Sequence, residues 1–248
     1  MHFIVIVGTA GSGKSTLTFS LKNFLESISL STNIVNLDPA VERLPYVPDF
    51  DIREYVDSVK VMNQYNLGPN AALIASIDLV LTRANEIKED ISSLNSRYVI
   101  IDTPGQLELF AYRESGRVLL NLITENEKTV TLFLMDSFLA KDPLNYVSLQ
   151  LLSKSVFFRL RRPQINVMTK EDLLNDYEKQ EIISWEDKEN LVNSISNRVE
   201  TLEDYVDLLE TIEDWAQFPI LISNVSGKGI NELYGEIQRL LTSEDEMT

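Results

Sequence analysis

The chain has 248 residues, of which 44% are hydrophobic and 24% are charged, a balance typical of a globular protein. It has no cysteine and a single histidine, which excludes disulfides, thiolate metal sites and multi-histidine metal sites. The formal net charge is −16, which repels nucleic-acid backbones and anionic lipid. We therefore expect a protein partner or a small ligand, and neither direct nucleic-acid binding nor membrane binding.

No apolar run approaches the roughly 18 residues of a membrane span. Residues 3–7 are apolar, but they are too few for a signal peptide and lead directly into a loop that needs them as a strand. We therefore expect a cytoplasmic protein. One local basic cluster stands out, formed by Arg159, Arg161 and Arg162. At a predicted helix C-terminus these charges favour the helix dipole.

Predicted strands and helices alternate along the chain. The strands are "HFIVIVG" (2–8), "NIVNLD" (33–38), "RYVIID" (97–102), "TVTLFLMD" (129–136), "PQINVMT" (163–169) and "FPILIS" (218–223). The helices are 13–28, 49–66, 71–92, 106–126, 144–160 and 230–241. Residues 171–215 are read as an acidic helical insertion before the last strand. This order predicts one α/β domain over 1–248, with a mostly parallel sheet and helices on both faces.

The segment "GTAGSGKS" (8–15), here called the phosphate loop, matches G-x-x-x-x-G-K-[ST] between a strand and a helix. Its glycines let backbone N–H groups converge on phosphates at the positive end of a helix. Lys14 would place its ammonium on the β and γ phosphates, and the Ser15 hydroxyl would ligate Mg²⁺. A merely glycine-rich turn does not explain a lysine and two hydroxyls at the helix start. The pattern predicts a three-layer P-loop NTPase fold whose nucleotide-binding residues include Gly11, Ser12, Gly13, Lys14, Ser15 and Thr16.

The segment "VIIDTPGQLE" (99–108) supplies the second part of the predicted site. Asp102 ends a buried strand, which places a carboxylate beside the Mg²⁺ water shell. The N–H of Gly105 can meet the γ phosphate, and the amide of Gln106 can orient an attacking water. Glu108 shares that task in one interpretation. In the other it is a carboxylate in a first helical turn, favoured by the helix dipole.

The residues "TKED" (169–172), here called the base loop, follow the fifth predicted strand. Asp172 can accept from both N1–H and the exocyclic amine of guanine, whereas adenine offers no such pair of donors. The stem of Lys170 would lie across the purine face. The predicted base-contacting residues are Thr169, Lys170 and Asp172, joined by Ser223 and Asn224 from "ISNVSGKG" (222–229).

These motifs together resemble the GPN-loop GTPases over nearly the whole chain. Besides the phosphate loop and the base loop, the marks are "NLDPA" (36–40), "GPN" (68–70) and "DTPGQLE" (102–108). The chain departs from that pattern at Ala71, where glycine is usual, and at Asn224, where alanine is common. The resemblance implies a short, archaeal-type, dimeric GTPase that uses GTP, GDP and Mg²⁺.

The triplet Gly68-Pro69-Asn70, here called the GPN turn, has two interpretations. In the plain one, Gly68 and Pro69 break a helix and Asn70 caps the next helix through its side-chain oxygen. In the other, Asn70 has a catalytic role. Dimerising P-loop ATPases with a variant loop carry an extra lysine where this chain has Thr9. The resemblance implies that Asn70 replaces that lysine across a homodimer formed through the GPN-loop region, and reaches the partner's γ phosphate.

Asp38 in "NLDPA" is the remaining carboxylate of interest. It could accept a proton from the attacking water or bind Mg²⁺ through water, or it could simply form an Asx turn before Pro39. The resemblance favours a functional role for Asp38 over a plain turn.

Four functions remain open at this point. The leading one is a homodimeric GTPase switch that acts on an unidentified protein client. A P-loop kinase would need an arginine-rich lid, and Arg198 is the only arginine in 171–215. A nucleotide-gated binding module without hydrolysis would not need Gln106 or Asp38. An ATPase is the competitor within the fold, and Asp172 is the residue that discriminates against it.

Overall fold

Seven parallel strands form one sheet in a computed structural model that describes residues 1–198 and 217–243. The sheet order is β3-β2-β4-β1-β5-β6-β7, and each neighbouring pair runs in the same direction. The strands are β1 (His2–Gly8), β2 (Thr32–Asn36), β3 (Phe50–Asp51), β4 (Tyr98–Asp102), β5 (Lys128–Asp136), β6 (Gln164–Thr169) and β7 (Ile220–Leu221).

Helices cover both faces of the sheet. They are α1 (Lys14–Ser27), α2 (Ser58–Tyr65), α3 (Pro69–Leu81), α4 (Ala84–Ser92), α5 (Glu114–Ile123), α6 (Ser137–Ala140), α7 (Pro143–Leu160), α8 (Asp176–Ser184), α9 (Lys188–Ser196) and α10 (Ile230–Ser243). Short 3₁₀ turns span Ile52–Glu54 and Glu171–Leu173, and a π-helical segment spans Glu108–Tyr112. Within the described ranges, no helix combines the length and apolar character needed to cross a bilayer.

The core has two parts, one on each face of the sheet. Ile4 and Ile6 of β1 point to the face covered by α1 and α10. Phe3, Val5 and Val7 point to the face covered by α3, α4, α5 and α7. Because both faces are buried, the central strands are apolar along almost their whole length. The predicted three-layer α/β fold is confirmed.

The predicted helix 49–66 is wrong in its first half. Phe50 and Asp51 pair with β2 as an edge strand, and the Asp51 side chain accepts a hydrogen bond from the N–H of Arg53. Asp57 then caps α2, because its carboxylate accepts from the N–H groups of Val59 and Lys60. The apolar spacing alone predicts one helix over 49–66, but two capping aspartates divide this segment.

Two further predicted helices are each interrupted. The pattern 71–92 divides into α3 and α4 at Thr82, whose hydroxyl donates to the carbonyl of Leu79 at 2.7 Å. The pattern 106–126 is interrupted by extended backbone at Arg113, between the π-helical segment and α5. At Gly116 a Cβ atom would lie 2.2 Å from the carbonyl oxygen of Phe110. The two segments therefore pack closely and cannot continue as one helix.

The remaining differences concern boundaries. The second strand ends at Asn36, two residues before Asp38, and the last strand contains only Ile220–Leu221. The predicted insertion begins as a 3₁₀ turn and continues as α8 and α9, and residues 199–215 of it lie outside the described part of the chain.

The parallel sheet gathers the predicted motifs at one edge. In register, Ile6 of β1 stands opposite Asp102 of β4, and Gly8 stands opposite Leu134 of β5. Because the carboxyl ends of parallel strands share one edge, the segments that follow β1, β2, β4, β5 and β6 all emerge there. This edge carries the candidate site.

Candidate functional site

The phosphate loop leaves β1 in close contact with β5. A Cβ atom at Gly8 would lie 2.8 Å from the carbonyl oxygen of Leu134, so only glycine fits there. Gly13 adopts a left-handed conformation (φ 88°) and forms the N-cap of α1, so the helix begins directly at Lys14. The loop therefore presents the positive end of a 14-residue helix, a geometry suited to anions.

Lys14 is folded back over this loop. Its ammonium donates to the carbonyl oxygens of Gly8 and Thr9 at 3.0 and 2.9 Å, and the residue is only 7% exposed. Burial lowers the pKa of Lys14, and the nearby carboxylates of Asp102 and Asp38 oppose that shift. A buried cation held by carbonyl oxygens is ready to exchange them for phosphate oxygens.

The other predicted residues of the phosphate loop differ in exposure. Ser12 is buried, and its hydroxyl donates to the carbonyl of Thr9 at 2.8 Å. Gly11 and Thr16 are exposed, while Gly13 and Ser15 are partly buried. The loop is thus fixed from inside by Ser12 and open to solvent at Gly11 and Thr16.

Asp102 is buried at the end of β4 and is bound by a residue that the sequence analysis missed. The hydroxyl of Tyr46 donates to Asp102 Oδ2 at 2.5 Å. Burial, and then the charge of Asp102, raises the pKa of Tyr46, so the phenol keeps its proton and acts as the donor. Tyr46 lies in the loop between β2 and β3, and nothing in its local sequence marks it as a site residue.

The oxygens around Asp102 fit the metal that a P-loop site implies. Asp102 Oδ1 is buried and has no hydrogen-bond partner among the described residues. Burial raises the pKa of Asp102, while the side chains of Ser15 and Tyr46 and the charge of Lys14 oppose the rise. A carboxylate beside a hydroxyl is a hard-oxygen pair of the kind Mg²⁺ uses together with waters.

Asp38 lies just past β2 and meets the segment that follows β4. Its Oδ1 accepts from the N–H of Ala40 at 2.9 Å, so the predicted Asx-type turn is present. Burial raises the pKa of Asp38, and hydrogen bonds from the N–H groups of Ala40 and Gly105 and the charge of Lys14 oppose the rise. Asp38 is therefore both a turn residue and a close neighbour of Gly105 and Lys14.

The predicted water-positioning residues are less enclosed. Gly105 lies against the phosphate loop, because a Cβ atom there would be 3.9 Å from Ala10. Gln106 is exposed and its side chain makes no hydrogen bond within the described ranges. Glu108 is in the π-helical segment, and its side chain lies outside what the structure describes.

The GPN turn corrects the predicted cap. Asn66 ends α2 in a left-handed conformation, Gly68 is the N-cap of α3 and Pro69 is its first residue. Asn70 is therefore already inside α3 and does not cap it. The Asn70 side chain is exposed and forms no hydrogen bond with any described residue.

The base loop is joined to the phosphate loop by one direct hydrogen bond. Thr169 is buried, and its hydroxyl donates to the carbonyl of Ser12 at 2.8 Å. Lys170 adopts a left-handed conformation (φ 62°) and pairs with Asp136 at 2.6 Å, which holds its stem across the end of β5. These contacts hold the base loop beside the phosphate loop at one edge of the sheet.

Asp172 is held from the other side by the segment after β7. The Ser223 hydroxyl donates to Asp172 Oδ1 at 2.6 Å, and Asp172 is otherwise exposed. The Asn224 side chain lies nearer the phosphate loop, with its Nδ2 atom 3.8 Å from the Cβ position of Gly13. The adjacent Glu171, which the sequence analysis passed over, is buried and pairs with Lys228 and, at 3.4 Å, with Lys179.

Comparisons with known proteins agree with this arrangement. A family model described as a conserved hypothetical ATP binding protein matches residues 6–243. GPN-loop GTPase 1 of Dictyostelium discoideum is 32% identical over 248 residues, covering 94% of this chain and 60% of that protein. The GPN-loop GTPase 2 homolog of the same organism is 36% identical over 171 residues, covering 68% of this chain and 54% of that protein. The chain therefore spans only a little over half the length of these relatives.

A solved structure is similar over the whole fold. The structure of a GTPase in apo form from Pyrococcus abyssi matches with a TM-score of 0.85 and 28% identity, covering 97% of this chain and 98% of that one.

The parallel sheet, the phosphate loop and the buried carboxylate at the end of β4 define a P-loop nucleotide-binding protein. Since the family model covers nearly all of the chain and the relatives carry the family's name, the chain belongs to the GPN-loop GTPase family.

Proposed function

We propose that this protein binds GTP with Mg²⁺ and hydrolyses it to GDP and phosphate. The observation that carries the proposal is the fixed position of Asp172, whose Oδ1 accepts from Ser223 at 2.6 Å beside a base loop anchored to the phosphate loop. A held carboxylate is a double acceptor, which guanine satisfies with two donors and adenine does not. The description of the family model refers to ATP and the names of the relatives to GTP. The acceptor geometry favours GTP.

Four residues of the site have separate roles in binding the phosphates and Mg²⁺. The Lys14 ammonium exchanges the carbonyls of Gly8 and Thr9 for the β and γ phosphates, where it offsets the charge that develops during phosphoryl transfer. Ser15 and, through water, Asp102 would hold Mg²⁺, which would help to neutralise the charge of the phosphates when bound. Tyr46 fixes the orientation of the Asp102 carboxylate.

The segment around Gly105 and the neighbouring Asp38 activate the attacking water. Gln106 orients the attacking water through its amide, and Asp38, next to Gly105, accepts the proton. A raised carboxyl pKa suits that role, because a stronger base takes the proton more readily. Glu108 is the alternative residue for positioning the water.

We further propose that the protein works as a homodimer through the GPN turn, with Asn70 completing the partner's phosphate site. Gly68 has ordinary extended backbone (φ −70°) and open space around its Cβ position, so neither conformation nor packing within the described chain requires glycine there. Close approach of a second backbone would require it. Asn70, exposed and unbonded beside it, is free to donate across such an interface. The two nucleotide states would then present different surfaces to a protein client in the cytoplasm.

Phosphate release from GTP and ATP by the purified chain, measured beside its mass in solution, tests this function. We expect release from GTP in the presence of Mg²⁺, little from ATP, and the mass of a dimer. Gln106→Ala should keep GTP affinity and slow turnover, since positioning water matters only on the way to the transition state. Equal turnover of both nucleotides would refute guanine selection, and unchanged turnover in Gln106→Ala would remove Gln106 from the mechanism.

A further inference from the structure

The arginine cluster at the C-terminal end of α7 has a further member in the structure, from a different helix. Arg159, Arg161 and Arg162 face Arg117 of α5 across a groove of about 490 Å³. The Arg162 guanidinium donates to Asn121 Oδ1 of α5 at 3.0 Å, which fixes the two walls relative to each other. The helix dipole of α7 accounts for cations at its own C-terminus, but it does not account for Arg117 on a different helix. We call this feature the arginine groove.

The charged residues that line the arginine groove are mainly basic, although the chain as a whole is strongly acidic. The chain carries a net charge of −16, yet Glu114 is the one acidic residue that lines the groove. Arg117, Arg159 and Arg161 form no ion pair with any carboxylate of the described residues. Arg159 instead stacks over the ring of Tyr112 at 5.4 Å. Guanidinium groups left without carboxylates on an acidic protein leave charge available for an external anion.

An apolar pocket of about 600 Å³ continues the groove. It is lined by Phe157, Phe158 and Pro163 and shares Arg161 and Arg162 with the groove. Phe158 is 66% exposed, a large apolar side chain left in water. Arg161–Pro163 directly precede β6, so the pocket lies at the amino edge of the sheet, opposite the nucleotide edge. A ligand there would not compete with a nucleotide.

We propose that the arginine groove and its apolar pocket dock an acidic segment of a partner protein that carries one large apolar side chain. Carboxylates of the segment pair with the guanidinium groups, and the apolar side chain is buried against Phe157 and Phe158. The chain as a whole carries a net charge of −16 and would repel such a segment, so charge complementarity favours this groove over the acidic parts of the described surface. A polyphosphate backbone is disfavoured, because the net charge opposes it and the apolar pocket would contribute nothing to its binding.

A short fluorescent peptide of glutamates around one central phenylalanine tests the proposal on the full chain by anisotropy at low salt. Arg161→Glu should weaken binding by roughly tenfold, since one charge pair becomes a repulsion. Arg239→Glu makes the same charge change on α10 and should alter binding less than about twofold. Both variants should hydrolyse GTP at the unmodified rate, which shows that they are folded.

The apolar half of the proposal is tested separately. Phe158→Ser, and a peptide whose phenylalanine is replaced by glycine, should each weaken binding several-fold. Equal losses from Arg161→Glu and Arg239→Glu would overturn the proposal, as would binding indifferent to Phe158 and to the peptide's phenylalanine. Tighter binding of a single-stranded oligonucleotide than of the peptide would also overturn it and would make the groove a nucleic-acid site.

Discussion

The two halves of the candidate site differ in where their side chains find partners. In the half formed by the phosphate and base loops, Lys14, Thr169 and Asp172 are each held by hydrogen bonds from the same chain. In the half formed by the GPN turn and the segment after Gly105, Asn70 and Gln106 are exposed, without hydrogen bonds to the described residues. The first half is preorganised by folding alone. The second supports our proposal that a partner copy completes the site.

The sharpest test of the preorganised half is Lys14→Ala. Removing a buried charge from its phosphate partner costs about 2–5 kcal/mol, so GTP affinity should fall by roughly thirtyfold to several thousandfold. The exposed Arg239→Ala removes the same charge far from the site and should leave affinity unchanged. Titration calorimetry measures both, and near-normal binding by Lys14→Ala would show that the loop amides alone hold the phosphates.

The half of the site formed by the GPN turn is tested by Asn70→Ala. Loss of one donor to the developing charge should cost roughly 2.7–4 kcal/mol, or about a hundredfold to a thousandfold in turnover, with GTP affinity nearly unaltered. Asn23→Ala, an exposed asparagine on α1, is the matched control. If the GPN turn has only a structural role, turnover should stay normal, because Asn70 lies inside α3 and is not its cap.

Mixing subunits then decides whether Asn70 acts across the dimer. An Asn70→Ala chain keeps its phosphate loop, and a Lys14→Ala chain keeps its Asn70, so each mixed dimer should have one working site. Activity of the mixture above that of either variant alone is the expected result. Inactive mixtures that demonstrably contain mixed dimers would confine Asn70 to its own chain.

The same contrast explains what the sequence could and could not predict. The phosphate loop and the base loop can be predicted because each is a short local pattern at the end of a strand. The Tyr46–Asp102 bond joins residues 56 apart in sequence, and only the sheet order brings them together. The break at Arg113 depends on the close approach of Phe110 to Gly116, and the arginine groove depends on α5 meeting the end of α7. Periodicity carries no information about such contacts.

Asp172→Asn probes how firmly the base loop selects guanine. The amide would turn one acceptor into a donor facing the guanine edge, at a cost of about 1–3 kcal/mol in GTP affinity. Xanthine nucleotides, which present an acceptor at that position, should bind the variant more tightly by a similar factor. Competition binding with GTP, XTP and ATP measures this, and Ser223→Ala should cause a smaller loss because it only loosens the carboxylate. Unchanged ranking of the three nucleotides in Asp172→Asn would remove Asp172 from base recognition.

The smallest expected effect is on stability, and it comes from Asp102. Burial raises the folded-state pKa of Asp102 above its unfolded value, in spite of Lys14, Ser15 and Tyr46. A raised carboxyl pKa contributes stability at low pH that is lost as pH rises through the folded pKa. Asp102→Asn cannot ionise, so the nucleotide-free variant should melt higher than the unmodified chain near neutral pH, by about 2–4 °C for each kcal/mol. The difference should vanish as pH falls below the unfolded pKa of aspartate. Calorimetry across pH checks this, together with loss of Mg²⁺-dependent turnover.

A variant that melts lower than the unmodified chain at neutral pH would mean that the ionised carboxylate stabilises the fold, and Asp102 would then be a structural partner of Lys14 and Tyr46.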